Sequence, residues 1–319
     1  MSDTNPQLRR IGAGFCGTVW AAGDHGSAFK REDGGPDRSL LNDYTMHQHL
    51  QNHKPSMPQI QIPICYELLT PSSAWWHDNL DRFPHGYQPC NMIHAQRIPP
   101  ILANTRQLIT ERYCPAQLVA EIMDSETNRD CLIRPYLGRR RHHTRKRASR
   151  FQAFSLRNYP LHVDQMEELG IPESDITGYA QSMAEALAVM HWDAEVDGND
   201  VEFVLAAPND INSTQPQGQW CNILGQHSIW ILDFDLVRRM DMDEQGVEQA
   251  VRAFWKNDPF CPRPDGSDRW KAFREQYMQT SKMCIERKTG TGYGDLHTLP
   301  DLFIRSVEQL GQQAVAHSP

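Results

Sequence analysis

The 319-residue sequence has no apolar run long enough for a membrane-spanning helix, which needs about 20 residues. Its first residues, Met1–Gln7, also lack the apolar core of a secretory signal peptide. We therefore expect a cytoplasmic protein that does not use a membrane. The length fits one two-lobed domain or two small ones, and no internal repeat divides the chain further.

Paired cysteines are also missing. The eight cysteines are scattered along the chain, and the spacing C-x-x-C does not occur. This distribution argues against a zinc site built on cysteine pairs and against a disulfide framework. We therefore expect no zinc in this protein.

Near the amino terminus, Gly12, Gly14 and Gly17 have the spacing G-x-G-x-x-G. A dinucleotide-binding loop would open a helix after its third glycine. Here the β-prone segment "TVWA" follows, then the turn "GDHG" and the strand-like "SAFK", which ends at Lys30. Strand, turn and strand predict a β-hairpin. Together with Val19 and the strand lysine, the glycines match the pattern of a protein-kinase phosphate loop.

A second signal lies in "MHWDAEVDGNDVEFVLA", which follows a long amphipathic helix. Asp197 stands five residues before Glu202 and an apolar strand, as in a kinase catalytic loop, and Asp233 in "ILDFD" takes the position of the metal-binding aspartate. The order of these signals predicts an α+β, two-lobed, protein-kinase-like fold. A small, mainly β N-lobe would comprise residues 1–97, and a larger, mainly helical C-lobe residues 98–319.

Two residues depart from the kinase pattern. Glu202 stands where an asparagine is expected, and Asp235 replaces the glycine of D-F-G. With Asp197, Asp200 and Asp233 they concentrate negative charge, which opposes ATP unless metal ions are bound. Such a pocket suits a cation, above all a guanidinium gripped by two carboxylates. The alternative is that these carboxylates pair with the arginines that follow Asp235.

The segment "GRRRHHTRKRASR", residues 138–150, holds seven arginines and lysines and no acid, in a chain of net charge −8. A basic segment in an acidic protein indicates a site for a polyanion. The candidate phosphate contacts are Arg139, Arg140, Arg141, Arg145, Lys146, Arg147 and Arg150. The following aromatic residues, Phe151, Phe154 and Tyr159, would stack unpaired bases or belong to the core. A solvated loop or a localisation signal is the alternative for the basic segment.

Longer motifs resemble a fungal family of arginine-containing cyclodipeptide synthases, a family that also carries a zinc-finger description. These motifs are "IGAGFCGTVWA", "LIRPYLGRRR", "SRFQAFSLRNYPLHVDQMEELG", "MHWDAEVDGNDVEFVLA", "WILDFDLVR" and "FWKNDPFCPRP", and they lie between Ile11 and Pro264. The resemblance implies synthesis of a cyclic dipeptide from arginyl-tRNA and a second aminoacyl-tRNA, with tRNA rather than DNA as the nucleic-acid partner. Aminoacyl esters are already activated, so ATP is not expected as a cofactor.

The implied reaction requires two aminoacyl groups to be held together and an α-amine to be deprotonated. Asp197 is the candidate base because of its position in the kinase-like loop. Asp200 and Glu202 are the candidate guanidinium clamp, with Asp233 and Asp235 as second choices.

The glycine hairpin and Lys30 are candidate substrate-binding elements for the terminal adenosine of tRNA, unless they serve only the fold. Two other functions stay open. An ATP-dependent small-molecule phosphotransferase is favoured by the hairpin, Lys30 and Asp233 but opposed by Glu202 and Asp235. A non-catalytic module would bind RNA through the basic segment.

Overall fold

The computed structural model describes residues 6–14, 17–33, 40–141, 154–208, 218–288 and 295–316. Within these residues the chain forms two β-sheets and a set of α-helices, which confirms the predicted α+β class. Predicted elements such as the amino-terminal hairpin and the long helix before Asp197 are present.

The first sheet is antiparallel and contains the glycine hairpin. Its strands are β1 (Arg9–Ala13), β2 (Thr18–Ala21), β3 (Ser27–Arg31), β5 (Cys65–Leu69) and β6 (Met92–Gln96), in the order β1-β2-β3-β6-β5. The helix α1 (Leu40–Asn52) follows β3 along the chain. It packs against the sheet through buried Leu40, which contacts Cys65 and Ile93.

The chain between β5 and β6 covers one face of this sheet. It contains α2 (Trp75–Asn79) and brings Trp76 and Phe83 into an aromatic cluster with Trp20 and Phe29. Side chains alternate along a strand, so Phe29 and its second neighbour Arg31 face this cluster and Lys30 faces the other way. The sheet therefore presents Lys30 on the opposite side, where α1 packs.

The second sheet is mixed. It contains β10 (Gln219–Asn222), β11 (Gly225–Leu232), β9 (Glu202–Ala206), β7 (Ile133–Tyr136) and β8 (Tyr159–His162), in this order, and β4 (Ile60–Gln61) pairs with β11 in parallel. β4 precedes the predicted boundary at residue 97, yet it belongs to the sheet formed by the rest of the chain. Residues 1–97 are thus joined to the rest of the protein by strand pairing as well as by the covalent connection at residue 97.

Helices surround the second sheet and form the larger core. They are α3 (Ala103–Tyr113), α4 (Val119–Asp124), α5 (Glu126–Arg129), α6 (Val163–Glu168), α7 (Glu173–Trp192), α8 (Glu244–Lys256), α9 (Asp268–Lys288) and α10 (Leu299–Ala316). The predicted apolar face of α7, with Ile176, Met183 and Met190, is buried, and so is much of the rest of this helix because α9 packs along it. Burial of side chains of this size stabilises a fold by roughly 1.5–3 kcal/mol each. Among the described helices, none combines the length and apolar character needed to cross a bilayer.

A charge network connects the two sheets beside the connector that follows β6. Arg97 is 2% exposed and pairs with Asp130, which lies between α5 and β7, and with Asp24 of the β2–β3 turn. Arg9 of β1 donates to the same Asp130 over 2.7 Å. Charge-assisted hydrogen bonds of this kind are the stronger class, so the network fixes the first sheet against the start of the second.

Candidate functional site

Lys30 lies between two carboxylates that come from distant parts of the chain. Its Nζ donates to Asp43 Oδ2 of α1 over 2.5 Å and to Asp233 Oδ1, directly after β11, over 2.7 Å. The side chains of Lys30 and Asp233 are 21% and 30% exposed, whereas that of Asp43 is 4% exposed. A single lysine therefore connects the first sheet, α1 and the end of a strand in the second sheet, at a place that solvent reaches.

The first turn of α1 holds the chain that follows Asp233. Asp43 Oδ1 accepts a hydrogen bond from the Phe234 amide over 3.1 Å, and the Asn42 side chain donates to the carbonyl oxygen of Asp235 over 2.8 Å. Asp43 was not among the residues predicted for the site. The signal was present, because kinases pair their strand lysine with an acidic residue of the next helix.

Non-glycine residues with positive φ gather around Asp197 and Asp233. The described non-glycine residues with positive φ are Asn158, Glu195, Asp200 and Asp233, and the last three lie in the Asp197 loop and after β11. A side chain in this conformation costs about 1–2 kcal/mol, and such strain concentrates at functional sites. Burial raises the pKa of Asp233, and the Lys30 ammonium opposes that rise.

Asp197, the predicted base, organises its own loop. One carboxylate oxygen accepts from the backbone amides of Asn199 and Arg238, over 3.1 and 3.0 Å, and the other accepts from Gln249 Nε2 over 2.8 Å. The residue is only 5% exposed. Its role as a base stays a prediction. That role requires the hydrogen bond from Gln249 to break, so that the carboxylate oxygen can contact the substrate.

Glu202, predicted as half of the guanidinium clamp, is paired with an arginine of the protein itself. Arg134 of β7 donates to Glu202 Oε1, and its other terminal nitrogen lies 3.7 Å from Asp258 Oδ2. Tyr136 donates to the same Asp258 oxygen over 2.6 Å. The alternating strand β7 thus brings Arg134 and Tyr136 to one face of the second sheet, next to Glu202 of β9.

The pKa of Glu202 is raised from its ordinary value to about 7. Burial is the largest cause, and the negative charges of Asp233 and Asp200 raise the pKa further. Arg134 opposes the rise without cancelling it. A carboxyl group that titrates near neutral pH therefore borders the candidate site.

Asp235 does not reach the surface that Asp233 reaches. Its side chain is fully buried, whereas the sequence placed both in one pocket. A continued strand would put Asp233 and Asp235 on the same face, but the chain leaves β11 at Asp233 with φ +67 and breaks the alternation. Within the described chain the side chains of the arginines that follow donate to other groups, Arg238 to backbone oxygens and Arg239 to His49 and Ala194.

The glycine hairpin has the shape that its glycines permit. The Gly14 amide donates to the Gly17 carbonyl over 2.9 Å, and Gly17 has φ +151. A Cβ atom on Gly17 would overlap the backbone of β3, whereas Cβ atoms on Gly12 and Gly14 would meet open space or ordinary contacts. Asp33 accepts from the Thr18 amide and hydroxyl, both over 2.7 Å, and so anchors the strand after the loop.

Part of the basic segment is already paired within the protein. Arg140 donates to Glu167, and Arg141 donates to Asp164 and Glu168, so α6 supplies carboxylates for both. These pairs reduce the charge available to a tRNA backbone, and the tRNA contact stays a prediction. The residues that lie outside the described chain are Arg145, Lys146, Arg147 and Arg150.

Arg139 and the aromatic residues predicted to stack on bases differ in where they lie. Arg139 is exposed, and its guanidinium carbon lies 6.0 Å from the ring of Tyr136. Tyr159 is buried and Phe154 packs against the main core, so these two fit the core alternative rather than base stacking. Phe151 lies outside the described residues.

Comparison with known proteins gives one family. A family described as "Zinc finger protein" matches residues 229–289, a minor part of the chain that includes the second half of β11, Asp233, α8 and α9. No curated protein matches the sequence. The match carries the zinc-finger description alone and gives no support to the cyclodipeptide synthases, so the resemblance to those enzymes was wrong.

The matched residues do not contain the ligands of a structural zinc site. Such sites take four Cys or His ligands, and the segment holds two cysteines and no histidine. Cys261 and Cys284 are both buried, and burial raises the pKa values of their thiols to about 12 and about 11. Across the described residues, no group of three or more His, Cys, Asp or Glu side chains is arranged to hold a metal ion by itself.

Proposed function

We propose that the protein is a two-lobed, kinase-like phosphotransferase that binds a nucleoside triphosphate beside Lys30 and acts on a small molecule. The observation that carries the proposal is the position of Lys30 between Asp43 and Asp233. In kinases a strand lysine pairs with an acidic residue of the next helix and contacts the phosphates, close to a metal-binding aspartate. Lys30, Asp43 and Asp233 have the charges and the chain order of that set, with an aspartate in place of the kinase glutamate.

The topology supports a kinase-like arrangement with lobes at residues 1–97 and 98–319. The first sheet has a glycine hairpin, then the lysine strand, then a helix, and its strand order is β1-β2-β3-β6-β5. Asp197 stands in a loop after a long helix, and its neighbour Val196 bridges to Arg239 beyond Asp233. The exception is β4, which pairs outside the first lobe.

Asp235 and Glu202 carry the negative charge that argued against ATP binding. The surroundings of each residue reduce the effect of its charge. Asp235 is fully buried and does not add its charge at the surface where Asp233 lies. Glu202 is paired with Arg134, and its raised pKa leaves it partly protonated at neutral pH. The charge opposing a triphosphate is therefore smaller than five carboxylates would give.

Magnesium accompanies nucleotides in such sites and is held by one or two carboxylates together with phosphate oxygens. Asp233 fits this requirement, because its side chain is partly exposed and is a hard oxygen donor at the end of β11. The metal would neutralise phosphate charge. Lys30 would position the phosphates, Asp43 would orient Lys30, and Asp197 would position the acceptor hydroxyl and take its proton once Gln249 moves.

A second candidate is the aminoacyl-tRNA-dependent formation of a peptide bond. The observation in its favour is Glu202, since a carboxyl group with a pKa of about 7 is matched to an α-amine that titrates near 8. The pairing of Glu202 with Arg134 weighs against the predicted guanidinium clamp, because the carboxylate already holds a guanidinium.

Nucleotide binding tests the first proposal. Titration calorimetry with Mg-ATP should give saturable binding to the wild-type protein. Lys30→Met should weaken it by about 100-fold, close to 2.7 kcal/mol. Lys271→Met is the matched control, since Lys271 is an exposed lysine on α9 and should bind as the wild type does. Absence of Mg-ATP binding to the wild-type protein would overturn the proposal.

Products distinguish the two candidates. Purified protein given charged tRNAs without ATP should yield no dipeptide by mass spectrometry if the phosphotransferase proposal holds. A cyclic dipeptide made under these conditions, and lost in Glu202→Gln, would favour the second candidate instead.

A further inference from the structure

A cavity of about 300 Å³ lies on the face of the first sheet opposite to Lys30. Ser27 and Phe29 of β3 and His94 of β6 line it from the sheet. Trp75 and Arg82, from the chain that covers this face, line it from the other side, and the turn between β2 and β3 borders it. Its volume is in the range of small-molecule sites.

The aromatic walls of the cavity are held in place. The rings of Phe29 and His94 are stacked with centroids 4.8 Å apart, and Trp75 is tilted against Phe29 at 5.1 Å. His94 Nε2 is 2.8 Å from Ser27 Oγ, and His94 Nδ1 is 3.1 Å from Glu67 Oε1. Because both ring nitrogens are engaged, the imidazole cannot rotate freely. The cavity therefore offers a preformed aromatic surface.

Among the described residues that line the cavity, Arg82 is the single arginine or lysine. Its Nε donates to the Pro6 carbonyl over 3.0 Å and its Nη1 to Asn79 Oδ1 over 2.9 Å, which fixes the guanidinium. Within the described chain, Nη2 donates to no protein atom. The guanidinium carbon lies 5.9 Å from the ring of Phe29. Burial lowers the pKa of Arg82, and the nearby exposed Asp81 opposes this.

We infer that this cavity binds a small planar anion of the aromatic carboxylate class. A flat ring would stack on the aromatic walls, where offset and edge contacts are favourable. A carboxylate would take a charge-assisted hydrogen bond from Arg82, whose desolvation strengthens the interaction. The cavity is on the other face of the sheet from Lys30, so the inference does not depend on the proposed nucleotide site.

Benzoate is the probe for this cavity. In NMR titrations of the full chain it should bind saturably with a Kd on the order of 1 mM, as expected for a ligand of its size. Benzamide has the same ring without the charge and should bind at least tenfold more weakly. Acetate has the charge without the ring and should show the same loss.

Arg82→Gln should weaken benzoate binding at least tenfold, whereas Arg305→Gln, which changes an exposed arginine of α10, should leave it unchanged. Arg82 also holds Pro6, so a second variant separates binding from folding. Ala22→Leu keeps every hydrogen bond named above and fills the cavity from its rim, and it should abolish binding. Lys30→Met should not affect benzoate. No saturable binding at 10 mM benzoate, or binding that survives both Arg82→Gln and Ala22→Leu, would overturn the inference.

Discussion

Two cations each lie between two carboxylates, and they differ in what they connect. Lys30 connects α1 and the end of β11 to the first sheet, whereas Arg134 connects β9 and the loop at Asp258 within the second part of the chain. Their side chains are similarly exposed, 21% and 19%. Lysine is a point charge with rotatable donors, and arginine is a rigid fork that holds its partners in one geometry. Two cations of similar exposure therefore differ in role: we propose ligand binding for Lys30, whereas Arg134 holds two elements of the second part together.

The largest expected effect falls on the structural cation. Arg134→Met leaves Glu202 and Asp258 without their partner, and breaking such a pair costs about 3 kcal/mol of unfolding free energy. Urea unfolding followed by circular dichroism measures it. Arg305→Met, on the exposed face of α10, is the control and should change stability by less than about 0.5 kcal/mol. If Arg134→Met lost less than about 1 kcal/mol of unfolding free energy, Arg134 would not differ from Lys30 in its contribution to stability.

The next effect is the pH dependence of stability through Glu202. The folded state raises the pKa from 4.5 to about 7, so it favours the protonated form. This contribution is fully present below pH 4.5 and is lost as the pH rises through 7. Relative to Glu202→Gln, the wild type should therefore lose about 3 kcal/mol of unfolding free energy between pH 4.5 and 8. A difference that instead grew with pH would mean that the Arg134 pair outweighs burial.

A smaller loss of stability is expected at Lys30. Lys30→Met should cost about 1–2 kcal/mol, because the lysine is partly solvated and water can replace some of its interactions. In a double-mutant cycle with Asp43→Asn, the two changes should couple by about 1 kcal/mol, since the residues share a hydrogen bond. Additive losses would show that Lys30 contributes nothing to the folded state through Asp43.

The smallest effect belongs to the exposed pair of Arg140 and Glu167. Arg140→Gln should change the unfolding free energy by less than about 1 kcal/mol, as exposed ion pairs contribute little. Thermal unfolding of this variant beside Arg134→Met compares two arginine–glutamate pairs that differ in burial. A loss equal to that of Arg134→Met would show that burial does not set the size of these effects.

Local patterns in the sequence predicted the parts of the site that a few neighbouring residues determine. The glycine hairpin, Lys30 at the end of a strand and Asp233 at the end of another follow from turn chemistry and strand length. The partners of these residues did not follow, because Arg134 and Glu202 are brought together by two strands of one sheet, 68 residues apart in the chain. The position of Asp235 was predicted wrongly because Asp233 adopts a left-handed backbone conformation, which the sequence does not reveal.

The parallel pairing of β4 with β11 limits where the gene can be divided. Ile60 lies opposite Ile229 and Gln61 opposite Trp230, so a fragment ending at residue 97 would carry away a strand that the remaining fragment needs. The remaining fragment would expose an unpaired edge there, which is a template for self-association. If the protein is divided at this point, the fragments should stay unaggregated only when both are made together, because β4 then pairs with the exposed edge of β11.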